Sequence, residues 1–475
     1  MRKFDTKVQD LKYQVLREVA SSAFEDNLLT TIHDIPKTII PGKESTMRCC
    51  VYKERAILSE RVKLAVGGNK LHKNVIEVID IACDECPVGG YFVTDICRGC
   101  IAHHCQEACR RKAITFDESL KAHINKDLCV ECGLCAKVCP YDAISNRQRP
   151  CERACKVNAI KMDEHTKAAV IEDDKCIACG ACAFLCPFGA ITDKSYILNA
   201  VDLIQRCHNN KHFHLYAIVA PAIASQFRYA ELGQLITGIR MLGFYKVMEV
   251  ALGADIVAME ESKELEEKGF LTSSCCPAFV DYIHKHFPSM VEHISHNPSP
   301  MVAIAKQIKD SDPDAKVIFI GPCTAKKMEA RKKEVRPYVD CVLTFEELQA
   351  LLDSRNIDLP SLAISKLDEA SGFGRNFAHS GGVSAAVKQA LQERGSTFEV
   401  KPEICDGIDA CRLALTRASK GRARGNFIEG MACTGGCVNG AGCLSHSDRN
   451  VDMIIKHGDI ASAETIRMAL QQFDE

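Results

Sequence analysis

The sequence predicts an α/β body on its C-terminal side, preceded by a cysteine-rich domain of α+β type. Two observations support this division. Of the 28 cysteines, 16 lie between Cys83 and Cys186, and the residues after 195 alternate long apolar segments with charged stretches. At roughly 150 residues per domain, a chain of 475 residues suggests about three domains. We place them at 1–80, 81–195 and 196–475.

Composition excludes several classes of function. Lys plus Arg is 60 and Asp plus Glu is 62, so the formal net charge is -2. This balance argues against a nucleic-acid partner or a polybasic membrane surface. No apolar run reaches the roughly 18 residues of a bilayer span, and the N-terminus lacks the apolar core of a secretory signal. We therefore expect a cytoplasmic protein whose cysteines bind metals or clusters rather than form disulfides.

The first 80 residues show no evident chemistry. Apolar residues between Val8 and Leu28 have near-helical spacing and predict a helix. Pro36 predicts a turn or loop beyond this helix. Cys49 and Cys50 are adjacent and lack a CxxC context, so we interpret them as ordinary core or surface thiols. We read residues 1–80 as a small α/β or helical segment.

The C-terminal body is predicted from its alternating segments. The apolar segments 215–224, 247–258 and 316–321 are typical of buried strands, and the charged stretches 260–268 and 325–335 are typical of helices. Such alternation predicts an α/β domain.

A cysteine followed by three residues and Ala-Ile recurs four times, at Cys109, Cys139, Cys155 and Cys186. Two copies carry the full C-x2-C-x2-C-x3-C-P run that holds 4Fe-4S clusters in ferredoxins. Because the fourth cysteine of each run ligates the other cluster, we predict two four-thiol sets: Cys129, Cys132, Cys135 with Cys186, and Cys176, Cys179, Cys182 with Cys139. Zinc is the alternative, but zinc sites rarely string three cysteines at this spacing before Cys-Pro.

The other eight cysteines of this domain make two further sets of four. If the exchange of fourth ligands holds, they are Cys97, Cys100, Cys105 with Cys155, and Cys83, Cys86, Cys109 with Cys151. A zinc site or vestigial thiols are the alternatives here. We interpret His103 and His104, inside the first copy, as loop histidines. Several such clusters in sequence predict electron transport.

Three short motifs stand in the C-terminal body. Each places one or two cysteines in a Gly- or Pro-marked loop after an apolar run, where α/β folds bind ligands. Four of these cysteines could hold one more cubane cluster. The motifs are TSSCCPAF at 272–279, GPCTAKKME at 321–329 and EGMACTGGCVNG at 429–440.

The three motifs, in this order and behind the cluster domain, resemble the signatures of FeFe-hydrogenases. The resemblance implies an α/β catalytic H-cluster domain of two lobes, with sheets flanked by helices, behind an α+β ferredoxin-like multi-cluster domain. It also implies reversible conversion of 2H+ and two electrons to H2. The implied cofactor is an H-cluster, a 4Fe-4S cube joined through a cysteine to a diiron unit with CO, cyanide and azadithiolate.

The resemblance assigns roles by motif position. It implies that the cube is held by Cys276, Cys323, Cys433 and Cys437, with Cys437 bridging to the diiron unit. It places Ala220, Pro221 and Lys326 against the cyanides and Met431 near the bridging CO. It implies a proton route through Cys275, Glu261, Ser295 and Glu264. Without the resemblance, Glu261, Glu264 and Lys326 would be read as solvated charges on exposed helices.

Some positions depart from the best-known form of the family and resemble its group B branch; they are Phe279, Met301, Gly321 and Thr434. The implied partners are ferredoxin or a similar soluble electron carrier, because no flavin or dinucleotide motif appears, and dedicated maturation proteins for the diiron unit. An iron-sulfur assembly protein or H2 sensor is the alternative, and a polyferredoxin is a third. Retention of Cys275, Lys326 and Met431 favours the enzyme. We interpret Cys207, Cys341, Cys405 and Cys411 as structural and assign Cys443 no role.

Overall fold

The N-terminal segment is mostly helical. The structure, a computed structural model, describes residues 4–84, 86–87 and 89–474. The helix predicted near Val8 is confirmed as α1, whose N-terminus is capped by reciprocal hydrogen bonds between Thr6 and Gln9. Its apolar face packs into the core of the C-terminal body. The elements are α1 (Lys7–Phe24), α2 (Leu28–Thr31), α3 (Ile35–Ile39), α4 (Val51–Ala65) and β1 (Ile76–Val78).

The cysteine-rich domain is built from short antiparallel strand pairs and single-turn helices, as an α+β domain should be. Strand β3 pairs with β4, β6 with β7, β2 with β5, and β1 with β8. The elements are β2 (Gly90–Val93), α5 (His104–Glu107), β3 (Ile114–Phe116), β4 (Ala122–Ile124), α6 (Leu134–Lys137), β5 (Ile144–Arg147), α7 (Pro150–Ala154), β6 (Ile160–Met162), β7 (Ala169–Ile171), α8 (Ala181–Leu185) and β8 (Ile191–Asp193).

The repeated Cys-x3-Ala-Ile signature has one local geometry in all four copies. The alanine amide donates to the cysteine Sγ at 3.1 to 3.4 Å. The residue before the alanine adopts φ of 49° to 57°, although only one of the four is glycine. The alanine side chain is buried, and the isoleucine begins the next strand. The signature therefore encodes a turn that aims one amide at each sulfur. The bonded pairs are Ala113 with Cys109, Ala143 with Cys139, Ala159 with Cys155, and Ala190 with Cys186.

The C-terminal body contains two parallel sheets flanked by helices, which confirms the predicted two-lobed α/β class. One sheet has the order β10-β9-β12-β13 and the other β11-β15-β14. The elements are α9 (Ile197–Arg206), β9 (Leu215–Val219), α10 (Leu232–Met241), β10 (Lys246–Glu249), α11 (Val250–Lys268), β11 (Leu271–Thr272), α12 (Pro277–His286), α13 (Pro300–Ser311), β12 (Lys316–Ile320), α14 (Thr324–Glu329), β13 (Cys341–Leu343), α15 (Phe345–Ser354), α16 (Gly372–Asn376), α17 (Gly382–Glu393), β14 (Pro402–Asp406), α18 (Ile408–Ala418), β15 (Phe427–Met431), α19 (Arg449–Asp459) and α20 (Ile466–Asp474).

The prediction of a strand over the apolar segment 247–258 is wrong beyond residue 249, where α11 begins. An apolar run fits a buried helix as well as a buried strand. A Cβ at Gly253 would lie 2.2 Å from the Pro300 carbonyl oxygen, so a glycine is needed for α11 to pack against α13. The predicted helix at 325–335 is shorter, since α14 ends at Glu329. Within the described residues, no helix combines the length and apolarity needed to cross a bilayer.

Candidate active site

The three cysteine motifs of the C-terminal body meet at one place between the two sheets. Strands β9, β12 and β15 end just before Ala220, Gly321 and Ala432, and parallel strands place the loops at their carboxyl ends on one edge of a sheet. A cavity of about 90 Å³ lies there, lined by Cys275, Cys276, Cys323, Cys433 and Cys437. Much of its remaining lining is apolar, including Pro221, Met301, Phe319, Phe377 and Met431.

These thiols are placed where a negative charge is costly. Burial raises the pKa of Cys323 to about 11 and of Cys437 to about 12, and the neighbouring Cys276 adds to both shifts. In the described part of the chain, no three cysteine, histidine or carboxylate side chains could hold a single metal ion. Four thiols that line one cavity from three loops fit a multi-iron cube, whose positive irons would offset the charge of the thiolates.

Lys326 is a buried cation in the wall of the cavity. Helix α14 begins directly after Cys323, and its first turn carries Lys326 to the cavity wall. The ammonium pairs with Glu329 at 2.7 Å and lies 3.4 Å from the Cys275 carbonyl oxygen. The expectation of an exposed basic helix, made without the family resemblance, is therefore wrong at this residue, which is buried.

A buried carboxylate lies behind Cys275. Glu261 on α11 is fully buried, and burial raises its pKa to about 7. Its Oε1 accepts a hydrogen bond from the Ser274 amide at 3.2 Å. Its Oε2 forms no hydrogen bond with any described residue, although Ser295 is near enough to oppose the rise in pKa. Burial also raises the pKa of Cys275, and Glu261 is the next largest cause.

Ser295 connects this region to the protein surface. Its hydroxyl donates to Glu264 Oε2 at 3.0 Å, and Asn297 Nδ2 donates to the same oxygen at 2.9 Å. Burial tends to raise the pKa of Glu264, but the Lys268 ammonium and the His296 amide hold it below its usual value. The four relay residues predicted by resemblance therefore lie in sequence from the cavity outward. Ser274 and Asn297 were missed, although each lies within two residues of a predicted one.

The cluster-domain thiols also group in fours, but not in the predicted sets. Burial raises the pKa of Cys105, Cys135, Cys182 and Cys151, and the other thiols that add to each rise identify neighbours. They are Cys100 and Cys139 for Cys105, Cys129 and Cys109 for Cys135, Cys179, Cys176 and Cys155 for Cys182, and Cys186 and Cys83 for Cys151. We name the resulting groups the Cys97 set (Cys97, Cys100, Cys105, Cys139), the Cys129 set (Cys129, Cys132, Cys135, Cys109), the Cys176 set (Cys176, Cys179, Cys182, Cys155) and the Cys83 set (Cys83, Cys86, Cys151, Cys186).

The predicted fourth member of each set is thus wrong. The hairpin of β3 and β4 joins the first copy of the signature to the second, and the hairpin of β6 and β7 joins the third to the fourth. Consecutive copies therefore exchange fourth thiols, whereas the sequence prediction pairs the two copies with complete runs. Cys186 lies in the core with Cys83 and Cys151, away from Cys135.

The Cys176 set adjoins the cavity. Cys179 lines the cavity itself, and Cys276 is among the groups that raise its pKa. On the other side, Cys151 of the Cys83 set is among the neighbours of Cys182. The cysteines without a motif, Cys207, Cys341, Cys405 and Cys411, are buried as expected of structural residues, and Cys49 and Cys50 are exposed.

Comparison with known proteins agrees with this geometry. Residues 213–441 match the model of the iron-only hydrogenase large subunit, C-terminal domain. Residues 122–145 match a 4Fe-4S binding domain, and residues 149–190 match a 4Fe-4S dicluster domain. The chain carries a hydrogenase-type C-terminal domain behind 4Fe-4S domains. The dicluster match contains the third and fourth copies together, in agreement with the exchange of thiols between them.

The relatives of this chain carry the names of more than one function. Iron hydrogenase 1 of Clostridium pasteurianum is 27% identical over 51% of this chain and 52% of its own length. Cytosolic Fe-S cluster assembly factor NAR1 of Eremothecium gossypii is 30% identical over 46% of this chain and 63% of its own. A solved FeFe-hydrogenase structure aligns with a TM-score of 0.49 and 20% identity, over 58% of this chain and 93% of that one. The chain thus spans between half and two thirds of these two curated relatives.

Proposed function

We propose that the protein is a cytoplasmic FeFe-hydrogenase that interconverts 2H+ plus two electrons and H2, exchanging electrons with ferredoxin or a similar soluble carrier. The observation that supports this most is the cavity itself. Five thiols from three separate loops line it, and one of them, Cys275, neighbours the buried carboxyl group of Glu261, whose pKa is raised to about 7.

The residues present fit an H-cluster. Cys276, Cys323, Cys433 and Cys437 would hold its iron-sulfur part, and Ala220, Pro221, Lys326 and Met431 would line the space for its diiron unit. When bound, the H-cluster supplies an open iron position at which protons and electrons combine. Lys326 would offer a charge-assisted hydrogen bond to an anionic ligand, and the apolar walls would exclude water, which strengthens that bond.

The chain's own side chains would move the proton. Cys275 lies at the cavity and would exchange a proton with Glu261, whose pKa near 7 suits transfer in either direction at neutral pH. Ser295 stands between Glu261 and Glu264 and would pass the proton through its hydroxyl. Glu264, next to the exposed His296, would exchange it with solvent. Ser274 and Asn297 would hold these carboxylates in position.

The thiol sets provide a route for electrons. The Cys176 set adjoins the cavity and the Cys83 set adjoins the Cys176 set. The Cys97 and Cys129 sets lie in the other half of the domain, where Cys132 is exposed and accessible to a carrier. Because 4Fe-4S clusters transfer single electrons, sets in series can deliver the two electrons of each turnover one at a time.

The proposal is tested by exchange of deuterium between D2 and water. Protein produced with the dedicated maturation proteins should catalyse formation of HD, and the same chain produced without them should not. Exchange requires the active site but no electron carrier, so it tests the chemistry apart from the partner. A matured chain with full iron content and no exchange would contradict the proposal.

A second candidate function is iron-sulfur cluster assembly, because the chain is also 30% identical to an assembly factor over 285 residues. In that case the unmatured chain, loaded with cubanes only, should transfer iron and sulfide to an apo iron-sulfur protein. The cavity beside Cys275 would then serve no purpose, and its filling by Met431→Trp should leave the transfer unchanged. For a hydrogenase, the same substitution should abolish exchange.

A further inference from the structure

Two buried arginines lie beside the Cys83 set. Arg149 on the N-terminal side of α7 is 3% exposed, and its Nη1 lies 3.8 Å from the Cys83 Sγ. Arg61 on α4 is 5% exposed and near enough to Cys186 for the two to interact electrostatically. Arg149 lies far in sequence from Cys83 and Arg61 from Cys186, although Arg149 is two residues before Cys151 of the same set.

Neither guanidinium has a carboxylate partner among residues 4–84, 86–87 and 89–474. Arg149 donates to the carbonyl oxygens of Lys167, Pro87 and Cys86. Arg61 donates to those of Gly189 and Phe188. Burial lowers the pKa of Arg61 to about 10, as expected for a cation without a facing anion. A buried charge is costly unless an opposite charge compensates it, so this region requires an anion.

The Cys97 and Cys129 sets have different surroundings from those of the Cys83 set. After burial, the main influences on Cys105 and Cys135 are backbone amides and other thiols, with no cation among them. Amide hydrogen bonds to sulfur occur in the Cys83 set and in the Cys129 set alike: Ala190 donates to Cys186 at 3.2 Å and Ala113 donates to Cys109 at 3.3 Å. Beside the Cys176 set the cation is Lys285, which is exposed. A buried positive charge therefore distinguishes the Cys83 set.

We propose that Arg149 and Arg61 give the cluster held by the Cys83 set the highest reduction potential of the four accessory clusters, so that it stores an electron next to the Cys176 set. This inference rests on the cluster-binding part of the proposed function. Cluster potentials depend on net charge, hydrogen bonds to sulfur and solvent exposure. A cation stabilises the reduced, more negative cluster more than the oxidised one, and low polarity strengthens the effect.

The electron balance of this step is simple. Reduction moves one electron from a neighbouring reduced cluster, which is oxidised by one electron, to the cluster of the Cys83 set. No bond forms or breaks. Guanidinium groups remain protonated in proteins, so no proton accompanies the electron. Arg149 and Arg61 therefore act as fixed charges that tune the site without reacting.

The test is a redox titration followed by electron paramagnetic resonance, on the full chain loaded with cubanes but lacking the diiron unit. Cys83→Ser should remove the signal with the most positive midpoint potential, which assigns that signal. Arg149→Gln and Arg61→Gln should each shift its midpoint to lower potential. Arg149→Lys keeps the charge and should restore most of the shift. Arg153→Gln removes an exposed charge on the same helix and should leave all midpoints unchanged.

Unchanged midpoints in Arg149→Gln at full iron content would overturn the inference, as would loss of a signal other than the most positive one in Cys83→Ser. If Arg149→Gln loses about four irons, Arg61→Gln decides by the same criterion: a lowered midpoint supports the inference and an unchanged one overturns it. Since the measurement needs no diiron unit, a chain without D2 exchange could still give either result.

Discussion

Cys275 is the residue on which the proposed proton route depends most directly. It lies in the cavity wall and has Glu261 behind it. Cys275→Ala should lower D2 exchange and H2 turnover by about 10²- to 10⁴-fold, the range typical of a lost acid–base group. Infrared bands of the diiron ligands should remain. Cys207→Ala, which changes a buried thiol remote from the cavity, is the control and should keep its activity. Full activity in Cys275→Ala would remove this residue from the route.

Glu261 gives the route a pH signature. Burial raises the pKa of Glu261 to about 7. In the folded protein the carboxyl is therefore protonated below about pH 7 and charged above it, whereas in the unfolded chain it is already charged above its ordinary pKa. The carbonyl absorption of a protonated carboxyl should therefore disappear with a midpoint near pH 7. The band should be absent at all pH values in Glu261→Gln, with exchange reduced at least about tenfold. The adjacent Glu260→Gln, at an exposed position, should retain both the band and the activity. A parent band that has already vanished by pH 5 would contradict this.

Some residues of the site can be predicted from the sequence and others cannot. The ligand cysteines are predictable because thiols at cluster spacing have few other uses, and the relay residues followed from motif position alone. Arg149 and Arg61 were not predictable. Each approaches its cysteine across a long sequence separation, and an isolated arginine in a helix is usually solvated. Burial of Glu261 reverses the expectation from its charged neighbours for the same reason, since tertiary packing decides which face of α11 is covered.

The exchange of fourth thiols belongs to the scale of elements, because the β3–β4 and β6–β7 hairpins determine it. Cys109→Ser should abolish the cluster of the Cys129 set. The double variant Cys109→Ser with Cys129→Ser should lose no more iron than either single one, about four atoms per chain. Cys109→Ser with Cys83→Ser should lose about eight. Iron analysis of the single and double variants decides. A loss of about eight atoms in Cys109→Ser with Cys129→Ser, and of about four in Cys109→Ser with Cys83→Ser, would instead support the pairing predicted from the sequence.

Helix α1 is joined to the rest of the protein by ion pairs between Lys12 and two buried carboxylates. Lys12 pairs with Asp193, at the end of the cluster domain, and with Glu346 on α15, at 2.5 and 2.6 Å. Lys12→Met removes the ammonium group that pairs with both carboxylates. It should lower the free energy of unfolding by roughly 1–3 kcal/mol, seen as a lower melting temperature of the cluster-loaded chain. Lys7→Met, at an exposed position on the same helix, should have little effect. Equal melting temperatures for both variants would show that α1 is held by apolar contacts alone.

Helix α1 was predictable from its helical period. Strands β9 and β12 were predictable as buried apolar segments, although β9 ends at Val219, short of the predicted 215–224. The segment 247–258 was not, because a continuous apolar run carries no period, and the small residues of α11 that permit close packing against α13 identify a helix only after its neighbour is known. The N-terminal segment likewise gave no sign that it shares a core with the C-terminal body.

At the scale of the whole molecule, two thiol sets lead to an apolar cavity: the Cys83 set adjoins the Cys176 set, and the Cys176 set adjoins the cavity. Cys179 belongs to the set next to the cavity and also lines the cavity, so under the proposed function electron delivery and the site of chemistry would share a wall. Glu261, Ser295 and Glu264 leave the cavity toward another part of the surface, through α11 and the loop before α13. Under the proposed function, protons and electrons would reach the cavity by different residues.

Infrared spectroscopy of the matured chain tests the central claim most directly. Thiols from three loops that hold an H-cluster should give bands of metal-bound CO and cyanide, and these bands should shift when H2 is added. Cys437→Ala should eliminate them while leaving the accessory clusters intact. A matured chain with its full complement of iron but without such bands, or with bands that do not respond to H2, would contradict the account.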